Sequence, residues 1–216
     1  MILGPVPCGE VPEWLNGMVS KTIVGATLPG VRIPPSPPFS RHSRMLFRHE
    51  QPQDADDVSA VNEQAFGRAA EGDLVEALRL AGKATLSMVA VDQGQLIGHI
   101  LYSPVRLEHE RGVFPVVGLA PMSVLPRFQR QGVGSALVKE SLEACRQAGH
   151  EGVVVLGHPE YYPRFGFLPA SRFGIESEFD VADEVFMALE LRAGVFQGVL
   201  QGGRGLARYG PEFSSF

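Results

Sequence analysis

The chain has 216 residues, of which 44% are hydrophobic and 20% charged, with a net charge of -5. That is enough for one sizeable domain of ordinary soluble composition, and the acidic balance argues against nucleic acid as a partner. Cys8 and Cys145 have no metal-ligand spacing and suit a reducing cytoplasm, and the long uncharged run 113–126 is too short and proline-broken to span a membrane.

Residues 1–44 stand apart. They are rich in Gly and Pro, end in PGVRIPPSPPFSRHSR, and show no sustained period of 2 or 3.6, which reads as an extended or disordered leader. Glu10 and Glu13, with no basic start, exclude a signal peptide. A sharper expectation is that this stretch is a mis-assigned leader. Val31-Arg32-Ile33-Pro34 can be encoded by GTT CGA ATC CC, which resembles the T-arm of a transfer RNA gene. Residues 18–23 can be encoded by ATG GTC TCG AAA ACC ATT, whose ATGGT and ACCAT are complementary. Translation would then start at Met45, and a genomic sequence with no cloverleaf upstream of that codon would refute the idea.

From Met45 the pattern is regular. Residues 46–49 form a short first strand. Asp54 caps a helix with Val58, Val61 and Ala65 on one face, and Asp54 with Asp57 approximates a capping box. Residues 73–80 form a second helix that groups Leu74, Val75 and Leu78. Segments 87–92 and 95–104 alternate like strands across a Gln93-Gly94 turn, a hairpin. Residues 113–124 are a further apolar strand, interrupted by Gly118 and Pro121. The best-defined helix is 132–148, where Val133, Leu137, Val138, Leu142 and Cys145 share a face and Gly149 supplies the stop. A buried strand at 152–156, a short helix at 159–165 and a late strand at 185–191 follow. This order describes an α/β single domain, residues 45–192, built on a mixed sheet with helices on its faces. Residues 193–216 form an extension whose Gly-Gly turn supports a small hairpin, extending the sheet or meeting a second subunit.

Between the 113–124 strand and the 132–148 helix lies VLPRFQRQGVGSALV. Glycine costs up to ~1 kcal/mol against alanine inside a helix, so two at a helix start suggest a backbone that must be bare. A helix start offers free N–H groups and the positive end of a dipole to phosphate oxygens, and glycine lets a diphosphate approach without a Cβ in the way. Gln129, Gly132 and Gly134 read as a pyrophosphate cradle, with Ser135 adding a hydroxyl and Arg127 and Arg130 flanking it. A Walker loop is excluded by the missing GxxxxGK[ST] lysine, and a Rossmann loop lacks its first glycine. A strand-helix corner whose glycines merely relieve crowding is the competing reading of these residues alone.

Residues 121–137, PMSVLPRFQRQGVGSAL, resemble the acyl-coenzyme A signature of the GNAT superfamily of N-acetyltransferases, V-x-P-x-x-[QR]-x-x-G-x-[GA]. Downstream, YYPRFGF resembles that superfamily's Tyr-x-x-x-Gly-Phe element, with Tyr162 in the tyrosine position. The order of elements from residue 45 to about 191 is also similar. The resemblance implies the GNAT fold, a mixed, mostly antiparallel sheet flanked by helices. It implies that main-chain groups of Met122, Ser123 and Val124 bond a pantetheine arm, and that the amides of Arg130, Gln131, Gly132, Val133, Gly134 and Ser135 hold the pyrophosphate. Tyr162 would stand near the coenzyme sulfur and protonate the departing thiolate. Acetyl-coenzyme A is then the co-substrate, with no metal, and a primary amine is the acceptor, attacking the thioester directly through a tetrahedral intermediate. That chemistry needs a base or water chain and a hydrogen-bond donor at the carbonyl. The expectation is a cytoplasmic enzyme with no nucleic-acid or membrane partner, compatible with a homodimer. The alternative is a non-catalytic acyl-coenzyme A sensor of the same fold.

Some positions depart from the family or are open. The asparagine that many GNAT sequences carry before the tyrosine is missing from LGHPEYY, which leaves His158 either near the cofactor or as a plain loop residue. Tyr162 could instead be a packing aromatic beside Phe165 and Phe167, and Tyr161 is expected to pack. His99, Glu63 and Glu71 qualify as general bases by type only. The loop IESEFDVADE carries Glu176, Glu178, Asp180, Asp183 and Glu184, either a negative mouth for a cationic amine or a solvated acidic loop.

Overall fold

The structure, a computed structural model, describes residues 45–214, and the leader lies outside the described residues. β1 (Leu46–His49), β2 (Leu86–Asp92), β3 (Gln95–His109) and β4 (Gly112–Val124) pair antiparallel in succession. β5 (Gly152–Leu156) joins β4 in parallel, and β6 (Leu168–Pro169) and β8 (Phe186–Glu190) continue the sheet antiparallel. β7 (Ile175–Ser177) is parallel to β9 (Gly205–Arg208), which docks on β3. The result is a mixed, mostly antiparallel sheet in the order β1-β2-β3-β4-β5-β8-β6.

Helices α1 (Ala55–Phe66), α2 (Ala70–Leu80), α3 (Val133–Gln147) and α4 (Val195–Leu200) complete the chain. α1 and α3 lie on opposite faces of the sheet, as two side chains of β3 demonstrate. His99 meets Asn62 of α1, whereas Tyr102 bonds Ser141 of α3 at 2.9 Å, and residues an odd number apart on a strand point to opposite faces. α3 buries the apolar stripe read from its sequence, Val133, Leu137, Val138, Leu142 and Cys145. The β2-β3 turn has positive φ at both Gln93 (49°) and Gly94 (81°), as a two-residue type I′ hairpin requires.

Several boundaries differ from expectation for identifiable reasons. Asp54 does precede α1, but its side chain does not cap that helix and instead closes a capping box on Gln51 for the 3-10 turn Pro52–Asp54. It turns back to bond Arg48 at 2.5 Å and the Gln51 N–H at 2.7 Å, so no capping box with Asp57 forms. β3 runs past Pro104 to His109. Thr85 N–H donates to Tyr102 O at 2.9 Å, so Tyr102, and by alternation Pro104, turns its main chain away from β4. Pro104 falls between the last β2 pair, at Tyr102, and the first β9 pair, at Arg106, where its missing N–H leaves no ladder bond broken. The helix expected at 159–165 shrinks to a 3-10 turn, Tyr162–Phe165, closed by Gly166 at φ 94°. The terminal hairpin is not formed. α4 and a glycine turn instead deliver β9 to the sheet between β3 and β7.

Candidate active site

The site begins at an irregularity in β4. Pairing with β3 holds at Tyr102↔Leu119 and resumes at Ile100↔Met122, so Leu101 opposes both Ala120 and Pro121, a bulge. β4 pairs β5 only from Val117↔Val153 to Leu119↔Val155. Beyond the bulge the two strands part, and Met122, Ser123 and Val124 keep β3 on one edge only. Leu125 N–H donates to Ile97 O at 2.9 Å. By the alternation of an antiparallel ladder, Ser123 turns its main chain toward β3, while Met122 and Val124 turn theirs toward the opened edge. An extended ligand can pair with such an edge as an added strand would.

That edge leads into the start of α3. A 3-10 turn, Pro126–Phe128, precedes residues with positive φ at Arg130 (59°) and Gly132 (89°). The Ala136 N–H donates to Gly132 O at 2.9 Å, so the amides ahead of it, through Val133, Gly134 and Ser135, have no intrahelical partner. They face the positive end of a 15-residue helix dipole. Gln129 and Gln131 brace this loop from within, donating to Val124 O at 2.9 Å and Arg127 O at 2.7 Å. Arg127 lies over the Phe128 ring at 4.9 Å, and Arg130 is exposed.

The two glycines have different tasks. A Cβ added at Gly132 would meet nothing within 4 Å, whereas one at Gly134 would lie 3.0 Å from the Tyr161 hydroxyl and 3.6 Å from Val124 Cγ2. Gly132 is therefore the glycine at the open end. Gly134 faces the sheet and is bare so that α3 can sit close to Tyr161.

Tyr161 and Tyr162 meet edge-on with ring centroids 5.2 Å apart. Tyr162 is 3% exposed and packs edge-on to Phe167 at 5.6 Å. Gly157 leaves it room, since a Cβ there would overlap the ring. Burial, reinforced by Tyr161, pushes the Tyr162 phenol well above the ordinary tyrosine range, so it stays protonated at neutral pH and can donate. Tyr161 is held differently. Arg164 covers its ring at 4.4 Å and donates to its carbonyl at 3.1 Å, and its buried hydroxyl has no hydrogen-bond partner among the described residues. His158, two residues past the end of β5, is half-buried, with its Nε2 likewise unpartnered among the described residues. Burial lowers its pKa against the pull of Glu160.

Of the three candidate bases, Glu63 is exposed on α1 and Glu71 is buried against Arg68 at 2.6 Å. His99 is fully buried and held at both ring nitrogens. Asn62 Nδ2 donates to Val58 O at 2.9 Å and lies 3.2 Å from His99 Nδ1, which makes Nδ1 the acceptor and Nε2 the protonated nitrogen. Nε2 faces Ser87 Oγ at 2.9 Å, Ser87 donates to Glu50, and Arg79 also donates to Glu50 at 2.5 Å. The His99 lone pair is thus already engaged and Glu71 is ion-paired, while Glu63 lies exposed on α1.

This network ties stability to pH. Burial lowers the His99 pKa despite Glu50. Burial opposes ionisation of Glu50, but hydrogen bonds from His99 and Ser87, with the charge of Arg79, bring it down to about 2. Both folded values lie below the unfolded ones, so each group contributes stability above its unfolded pKa and loses it as pH falls. The loss starts below about 6.5 for His99 and runs from about 4.5 down to about 2 for Glu50. Thermal melts across this range should show Tm declining below about pH 6.5. His99→Gln should shrink that upper limb, to which His158 also contributes, and keep the lower one; an unaltered profile in the variant contradicts the assignment.

A family model described as Acetyltransferase (GNAT) domain matches residues 47–170, which take in the bulge, the loop and both tyrosines. The chain belongs to the GNAT acetyltransferases. The uncharacterized N-acetyltransferase YhbS of Escherichia coli strain K12 is 35% identical over 173 residues, 80% of this chain and 100% of that one. The crystal structure of YhbS from Escherichia coli in complex with CoA matches with a TM-score of 0.74 at 33% identity, covering 82% of this chain and 96% of that chain. A GNAT family acetyltransferase from Brucella melitensis in complex with acetyl-CoA matches with a TM-score of 0.64 at 36% identity, covering 80% and 99%.

In this GNAT acetyltransferase two acids of the late loop are held by β9 and its flank. Glu176 pairs with Arg204 at 2.6 Å, and Glu178 accepts from the Tyr209 N–H at 2.5 Å and from Arg208 at 3.4 Å. Asp183 and Glu184 remain exposed. Both arginine partners flank or belong to β9, whose docking no local pattern announces. Gly157 and Asn62, also unmarked by motif, prove to fix Tyr162 and the His99 tautomer. Among the described residues no helix is long and apolar enough to cross a membrane.

Proposed function

We propose that this acetyltransferase moves an acetyl group from acetyl-coenzyme A to a primary amine of a small molecule or peptide, by direct attack in a ternary complex. One observation carries the reading: the opened edge of β4 runs straight into the free amides of α3. Met122 and Val124 would pair with the pantetheine amides. The amides from Arg130 to Ser135, beside the exposed Arg130 side chain, would hold the diphosphate. CoA and acetyl-CoA in the two solved relatives support the same co-substrate here. The amine nitrogen bonds the thioester carbon to give a tetrahedral intermediate, whose collapse breaks the carbon–sulfur bond, and Tyr162 directs its O–H at the departing sulfur. With His99 and Glu71 engaged and Glu63 exposed on α1, ordered water is the route for the amine proton. A buried Cys145 thiol, pushed up to about 12 by burial, suits a cytoplasmic protein whose cysteines play no part in the chemistry.

Thermal shift with acetyl-, succinyl- and longer acyl-coenzyme A tests the reading. A bound ester at a hundred times its Kd should add about 2.7 kcal/mol of stability. The absence of stabilisation by every ester overturns the proposal. Release of free coenzyme A in an amine screen separates an enzyme from an acyl-coenzyme A sensor, which would be stabilised but release none.

A further inference from the structure

Tyr162 and His158 flank the gap between β4 and β5 from opposite faces of the sheet. Gly157 continues β5 by one residue, donating its N–H to Val185 O at 2.9 Å just beyond the last β5-β8 pair, Leu156↔Phe186. A Cβ at Gly157 would overlap the Tyr162 ring, so that face of the strand belongs to the tyrosine. Consecutive residues of an extended chain point to opposite faces, which turns the His158 side chain away from Tyr162. The sheet register says which face this is. His99, which meets Asn62 of α1, lies an even number of residues from Val105 on β3, and Val105 Cγ2 is 2.7 Å from where a Gly118 Cβ would be. Gly118 pairs with Val154, and His158 lies an even number of residues beyond Val154. His158 is therefore on the face that carries α1, just past the end of β4-β5 pairing at Leu119↔Val155. Its main chain is fixed to the same turn as the phenol, because His158 O accepts the Tyr161 N–H at 3.0 Å and the Tyr162 N–H at 3.4 Å. Its Nε2 is shielded from bulk water and has no partner among the described residues. Burial lowers its pKa against the charge of Glu160, and on the neighbouring segment Asp183 and Glu184 are exposed ahead of Val185. The ring is thus neutral at physiological pH, with a lone pair to offer.

We propose that His158 receives the proton of the acetyl acceptor: its Nε2 takes it, through the ordered water, from an alkylammonium that enters on the α1 face, while Tyr162 serves the sulfur from the α3 face. The ammonium gives one proton through the water to Nε2, and the lone pair this frees bonds the thioester carbon. When the tetrahedral intermediate collapses, the sulfur leaves with the carbon–sulfur bonding pair. The second proton of the nitrogen passes through water to that sulfur, and the imidazolium returns its own proton to solvent. An ammonium and a thioester thereby become an amide, a thiol and a free proton. A base that is neutral near the working pH and sits across the gap from the hydrogen-bond donor suits both halves of the transfer. The inference rests on the acetyl-transfer reading above.

Coenzyme A release with ethylamine and with trifluoroethylamine, which is largely unprotonated at neutral pH, tests it, with calorimetric titration of acetyl-coenzyme A as the control. His158→Gln should keep the wild-type Kd for acetyl-coenzyme A and lower kcat/KM for ethylamine about a hundredfold at about pH 7. That loss should shrink as the pH rises toward the range where ethylamine is itself neutral, and trifluoroethylamine should react at close to the wild-type rate. His158→Glu, which restores a proton acceptor of lower pKa, should recover part of the rate and move the acid limb of the pH profile downward. The proposal is overturned by wild-type kcat/KM for ethylamine in His158→Gln, by a loss equal at neutral and alkaline pH, or by an equal loss with both amines. An acid limb that stays in place in His158→Glu, or variants that no longer bind acetyl-coenzyme A, overturn it too. A wild-type protein that releases coenzyme A with no amine would instead remove the acetyltransferase reading beneath it.

Discussion

Tyr162→Phe is expected to lower kcat by about a hundredfold or more, with little change in the Kd for acetyl-coenzyme A or in Tm. The ring contacts with Tyr161 and Phe167 and the fit over Gly157 survive the change, so folding should not register it. What is lost is an O–H whose buried phenol holds its proton far above the range of a thiol. Complete transfer to a thiolate would then run uphill. The effect is therefore exerted in the transition state, by hydrogen-bond donation from a buried phenol to the charge growing on sulfur. Such an interaction lowers kcat and kcat/KM together when removed. Thiol release with one amine, measured at saturating acetyl-coenzyme A, checks this. Unchanged kcat would return Tyr162 to a packing role.

The division of labour between the adjacent tyrosines also marks how far the sequence could be read. The Tyr-x-x-x-Gly-Phe spacing singles out Tyr162, and Tyr161 packs as expected against Tyr162, Phe165 and Arg164. Consecutive residues at the entry to a 3-10 turn point to different sides, and the side is decided by distant glycines. Gly157 yields to the Tyr162 ring, and Gly134 yields to the Tyr161 hydroxyl. The sequence displays both glycines without displaying what approaches them. Strong local signals carried through faithfully: β1, β5, the Gln93-Gly94 turn and the apolar stripe of α3 are where their patterns put them. Elements that depend on tertiary partners did not. Pro104 looks like a strand end until one knows that it sits in the gap between β2 and β9. Residues 205–208 look like half a hairpin because their partner, residues 106–108, lies far back in the chain. Asp54 reads as a helix cap because Arg48, which captures it, belongs to the preceding strand.

Gly134→Val should be a folding lesion as well as a binding lesion, which reverses what a phosphate-loop reading of GVG would lead one to expect. If Gly134 were bare only to admit a diphosphate, a side chain there would block the ligand and leave the apo protein intact. The Cβ instead points into the protein, 3.0 Å from the Tyr161 hydroxyl, 3.6 Å from Val124 Cγ2 and 3.8 Å from Met122 Cε. Two further methyl groups cannot fit unless α3 lifts from β4 or Tyr161 swings away, and Tyr161 is pinned by Tyr162, Phe165 and Arg164. Overpacking of this kind costs about 1–3 kcal/mol, a drop of roughly 2–4 °C in Tm per kcal/mol for a chain of this size. Because the amides of Val133 and Ser135 move with the helix, coenzyme affinity should fall in the same variant. Gly134→Ala gives the finer test, since its Cβ meets chiefly one oxygen. It should lower Tm in the wild-type background and be relieved in Tyr161→Phe, where that oxygen is gone. A Gly134→Val protein with unchanged Tm and abolished binding would mean that the position faces the ligand after all. Gly132→Ala, by contrast, has open space but a φ of 89°, so its cost is backbone strain of about 1–2 kcal/mol, and substituting Tyr161 should not relieve it.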